Sequence, residues 1–114
     1  MTLNTALMIN EIETVIKQRI KLHPDDYIAT QECWDQEVEI LTRDISKTIE
    51  FIETECDDET FYWIGEVFED VAEITQSKKF VTAIKKRAEK VIDDEERRSV
   101  EVDIRYAEYS IDDK

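Results

Sequence analysis

Gly65 and Pro24 are the only glycine and the only proline among 114 residues. Multi-stranded sheets need tight reversals, and these draw on glycine for positive φ and on proline for a fixed φ. A chain with one of each is starved of such turns, which leaves long helices as the favoured architecture. At this length one domain and one core are expected. The expectation is a single all-α domain over residues 1–114, a bundle or short stack of about five helices.

Apolar spacing of three and four residues marks the elements. Ile9, Ile12, Ile16 and Ile20 predict a first helix over 3–22, stopped by "HPDD" at 23–26. Trp34, Val38, Leu41, Ile45, Ile49 and Ile52 predict a second over 27–55, with "IAT" at 28–30 a place where its start could be delayed. Asp58 is the expected cap of a third, running to about Thr75. Ser77 caps a fourth that buries Phe80, Val81, Ile84, Ala88 and Val91. Asp93 and Glu96, at capping-box spacing, open a fifth marked by Val100, Ile104, Ala107 and Ile111.

Cys33 and Cys56 lack a CxxC partner or a histidine at metal spacing, so free buried thiols in a reducing cytoplasm are expected, with no zinc site. The start carries no basic leader followed by an apolar run, and no later run reaches the roughly 20 apolar residues of a membrane span. A cytoplasmic chain that does not enter a membrane is the expectation.

The third helix carries the sharpest functional signal. Turned at about 100° per residue, "FYWIGEVFEDVAEI" places Phe61, Trp63, Ile64, Gly65, Val67, Phe68, Val71, Ala72 and Ile74 over roughly 200° of its circumference. Tyr62, Glu66, Glu69, Asp70 and Glu73 fill the remaining arc. A carboxylate strip is ordinarily a solvated face. Here, however, the acids repel one another at i,i+3 and i,i+4 with no base between them, where a helix selected for stability alone alternates sign. Tyr62, Glu66, Glu69, Asp70 and Glu73, with Asp57, Asp58 and Glu59 at the helix start, are therefore the expected centre of a partner-binding surface. Replacing Glu66, Glu69 and Glu73 together by Lys is expected to leave the fold intact.

Charge is polarised along the chain. The formal net charge is −14, yet residues 23–75 alone carry −15, while residues 76–92 carry +5. Such a field steers a basic partner and repels phosphate backbones, which argues against direct nucleic-acid binding. The cations of the fourth helix, Lys85, Lys86, Arg87 and Lys90, sit near its C-terminus, where they complement the helix dipole.

The run "FYWIGEVFEDVAEITQSKKFVTAIKKRAEKV" (61–91), with its aromatic cluster, acidic strip, "TQS" turn and basic following helix, resembles the helical hairpin of small bacterial immunity proteins of contact-dependent growth inhibition systems. That resemblance implies a cytoplasmic protein that binds a cognate toxin domain, often a nuclease with a basic surface, and blocks it. The chain departs from the acidic immunity proteins of nuclease colicins in length and in lacking their tyrosine-bearing short helix, so no contact residues are transferred from them.

Other classes compete with this reading. His23, the single histidine, precedes Pro24 in a turn and supplies no nucleophile–base pair. Glu50 and Glu53, followed by Glu66, Glu69 and Asp70, loosely resemble the ExxE and ExxD pairs of Mg²⁺-dependent all-α nucleotide pyrophosphohydrolases. The second pair reads ExxE, and an acid-rich chain produces such matches by chance. The sequence therefore favours a non-enzymatic binder without catalytic residues, cofactor or metal. An acidic adaptor or regulatory subunit is the main alternative.

Overall fold

The structure is a computed structural model and describes residues 3–112; residues 1, 2, 113 and 114 of the expected domain lie outside the described residues. Helices follow one another as α1 (Leu3–Lys21), α2 (Tyr27–Arg43), α3 (Ile45–Thr54), α4 (Asp58–Ile64), a 3-10 turn (Gly65–Val67), α5 (Phe68–Thr75), α6 (Lys78–Ala88) and α7 (Asp94–Tyr109), with no strand among the described residues. The all-α bundle inferred from the scarcity of turn residues is what forms.

Side-chain caps set most of the boundaries. Asp26 accepts from Ala29 N, so α2 starts at Tyr27 and "IAT" does not delay it. Ser77 accepts from Phe80 N and Asp93 from Glu96 N, as their spacing predicts. The cap of α4 is Asp57, which accepts from Thr60 N, and not Asp58. Asp58 is the first helical residue and is used otherwise, as described below.

Two of the expected helices are divided. The span 27–55 breaks at Asp44, whose extended backbone (φ −148°, ψ 94°) lets its carboxylate cap α3. Thr48 Oγ1 donates to Leu41 O at 2.8 Å, which satisfies a carbonyl near the break. The span 58–75 tightens into the 3-10 turn at Gly65, where α7 comes close: a Cβ on Gly65 would stand 2.8 Å from Asp103 Oδ2. The backbone there is right-handed, so glycine is needed for space and not for its φ. Gly65→Ala is expected to destabilise by about 1 kcal/mol, and the same change in an Asp103→Ala background to be neutral or stabilising. Urea unfolding of the four proteins checks this; equal costs in both backgrounds would remove the steric account.

Helix pairs α1–α2, α3–α6, α5–α7 and α6–α7 enclose a core in which Phe51, Phe61, Phe68 and Phe80 are almost wholly buried. Phe68 links Phe61, at 5.3 Å between centroids, to Phe80, at 5.9 Å edge-on. The radius of gyration, 13.3 Å, fits one packed body of this length. The buried faces of α1 and α2 are turned from the expected ones. α1 buries Thr5, Met8, Ile12, Val15 and Ile16, leaving Ile20 exposed. α2 buries Thr30, Cys33, Glu37, Ile40 and Leu41, with Trp34 and Val38 at the edge. Ile74, expected inside, is 61% exposed.

Candidate functional site

The eight carboxylate and tyrosine positions expected to form one surface divide into two groups. Asp57 is spent on its cap. Asp58 Oδ1 accepts from Arg87 Nη2 at 2.6 Å and its Oδ2 from Ile92 N at 3.1 Å, so it ties the start of α4 to the end of α6 and the loop beyond. The Arg87 hydrogen bond holds the Asp58 carboxyl below its ordinary pKa. Tyr62 is half-buried and meets Trp63 edge-on.

Glu66, placed on the open strip by helical spacing, is exposed as a residue, but its carboxylate is held by a fork: Arg19 Nε and Nη2 donate to its two oxygens at 2.9 and 2.8 Å. Trp34 Nε1 donates to Oε1 at 3.1 Å. The Glu66 side chain is 26% and that of Arg19 18% exposed, and the guanidinium lies over Trp63 and Trp34 at 5.3 and 6.0 Å from their centroids. Replacing Glu66 by Lys would set two cations against each other here, which corrects the expectation that the triple exchange of Glu66, Glu69 and Glu73 leaves the fold untouched.

Glu59, Glu69, Asp70 and Glu73 remain exposed, and their carboxylates meet no cation among the described residues. Three of them ride on α5, whose opposite side buries Phe68, Val71 and Ala72. This is the part of the expected surface available to a partner.

Below it lies a cluster absent from the sequence reading. Glu37 is 0% exposed and both its carboxylate oxygens lack a hydrogen-bond partner. Burial first, then repulsion from Glu66, push its pKa up to about 8 against the attraction of Arg19. Asp103, beside Gly65, is pushed up to about 6 by burial and again by Glu66. Its spacing of four from both Cys33 and Leu41 placed Glu37 on a core face, a signal outweighed by the assumption that Trp34 and Val38 define that face.

The thiols offer no reactive nucleophile. Both are buried and free, burial raises the Cys33 pKa, and it pushes that of Cys56 up to about 12. His23 sits exposed in the α1–α2 turn, its Nδ1 accepting from Asp25 N at 3.1 Å. No group of three or more His, Cys, Asp or Glu side chains is placed to hold a metal ion among the described residues. No helix of the described residues is long and apolar enough to cross a membrane. Compared with known proteins, the chain matches no family model, no curated protein and no solved structure.

Proposed function

We propose that this chain is a binding protein that neutralises a cognate toxin domain with a basic surface, acting through the outer carboxylates of α5. One observation carries the reading: in a chain of net charge −14, Glu69, Asp70 and Glu73 meet no cation among the described residues, on a helix whose other side is locked in the core. Carboxylates on a fixed backbone lose little entropy when they meet lysine or arginine, and their field speeds the encounter. The likeness of residues 61–91 to small immunity proteins of contact-dependent growth inhibition supports the same reading. In that setting the protein would act in the cytoplasm, without catalysis, cofactor or nucleic-acid contact of its own.

The test joins rescue to binding. A basic partner recovered by pull-down with this chain is expressed alone and together with it, and the complex is titrated at low and moderate salt. Relief of growth arrest is expected. Changing Glu69, Asp70 and Glu73 together to Lys should slow association and weaken binding by about 2 kcal/mol or more, most strongly at low salt. Unchanged affinity at both salt concentrations would show α5 to be only a solvated face.

An adaptor or regulatory subunit is the second reading. It draws on Val102, Tyr106 and Tyr109, which are 41%, 55% and 79% exposed at helical spacing along α7. A partner lost on Tyr106→Ala and Tyr109→Ala but kept by the α5 charge reversal would favour it.

A further inference from the structure

Arg19 is bonded to one carboxyl group and acts through its charge on a second. Its fork is committed to Glu66 in the 3-10 turn, through bonds of 2.9 and 2.8 Å, and Trp34 Nε1 holds the same carboxylate. Glu37 of α2 is wholly enclosed with neither oxygen bonded. The charged groups acting on it are Glu66 and Arg19. From its own helix Cys33 adds a thiol that burial keeps protonated. The neighbouring α3 and α5 turn Thr48, Phe51, Ile52, Phe68, Val71 and Ala72 inward, and Asp103 of α7 stands close enough to Glu66 to be raised by it.

While Glu37 keeps its proton, its own enclosed site on α2 holds no unpaired charge. Once ionised, a carboxylate in that place has no donor and carries a desolvation cost that only a cation can offset. Glu66 is differently placed, because its partly exposed side chain can exchange Arg19 for water. We propose that Glu37 and Glu66 are alternative partners of Arg19, so that loss of the Glu37 proton to solvent transfers the guanidinium from the 3-10 turn to α2 and frees both Glu66 and the Trp34 indole. Burial and Glu66 hold that proton to about pH 8, which puts the transfer just above neutrality. In the alkaline arrangement Glu66 turns outward and adds a carboxylate to the surface.

The two tryptophans of the chain, Trp34 and Trp63, both lie under Arg19, so indole emission reports this locus. The full chain is titrated from about pH 6 to about pH 9 by tryptophan fluorescence, with far-ultraviolet circular dichroism alongside. One emission change centred near pH 8 is expected at constant helical signal. Glu37→Gln should abolish it and keep the spectrum of the low-pH protein. Glu66→Gln, at a partly exposed position that tolerates change better, removes both the competitor and the repulsion, so its midpoint should fall by about one pH unit or more. A flat wild-type titration, a transition that survives Glu37→Gln, an unmoved midpoint in Glu66→Gln, or loss of helix together with the emission change would each overturn the proposal.

Discussion

Glu37→Gln is expected to be several kcal/mol more stable than the natural chain at mildly alkaline pH and close to it in acid. The folded-state pKa of Glu37 lies at about 8 against an ordinary value of 4.5. The folded chain therefore keeps a proton that the unfolded chain releases. Stability from this group is complete below pH 4.5, falls between 4.5 and 8, and is spent above 8. At about 1.4 kcal/mol for each pH unit, the window amounts to about 4 to 5 kcal/mol. Asp103, raised from 3.8 to about 6 and half-buried, adds a loss of the same sign in the lower part of that range. Urea unfolding at several pH values should show the two proteins converging near pH 4 to 5 and diverging toward 8. Parallel profiles would mean that Glu37 is not linked to folding through its proton.

Arg87→Met is expected to cost about 2 to 4 kcal/mol, although it removes a cation from a basic helix and leaves a side chain of similar length. Arg87, 11% exposed, donates twice to Cys56 O, at 3.2 and 2.9 Å, once to Asp58, and lies 5.2 Å over the Phe61 ring. Methionine would keep the packing on Phe61 but strand the Cys56 carbonyl and the Asp58 carboxylate. Because Arg87 lowers the Asp58 pKa, the stability of that pair is present above 3.8, the ordinary value, and is lost as pH falls through the lowered one. The penalty for Arg87→Met should shrink in strong acid, and Asp58→Asn in the same chain should recover part of it. Additive costs for the two changes would show that they act independently.

The helical class was legible because one glycine and one proline leave few other options, and the cores of α6 and α7 were legible because Phe80, Ile84, Ala88, Val100, Ile104 and Ala107 recur at helical spacing with clear caps. The breaks at Asp44 and Gly65 were not. Neither contains proline; one depends on a carboxylate that caps equally well inside a longer helical pattern, the other on how close α7 comes to the chain. Glu69, Asp70 and Glu73 face outward as their spacing placed them, whereas Glu66 and Asp58 are tied by ion pairs to partners 47 and 29 residues away. Spacing within one helix has no access to such partners. Glu37 was hidden by its identity, since an ionisable residue at a core position is discounted unless the cation and the low dielectric around it are known.

Gln76 gives the bundle a fastening near its C-terminal end. It ends α5 in the left-handed region (φ 51°), and its side chain donates to Glu73 O and Ser110 O while accepting from Asp112 N. A single amide thereby joins the α5–α6 turn to the backbone where α7 ends. Helix termini ordinarily fray first and independently. Here the last turn of α7 cannot loosen without releasing the turn beneath it, so amide hydrogens at both places should exchange with solvent deuterium at matched rates, as one unit of opening. Gln76→Gly would ease the left-handed backbone yet uncouple those rates, trading local strain for two ends that breathe separately.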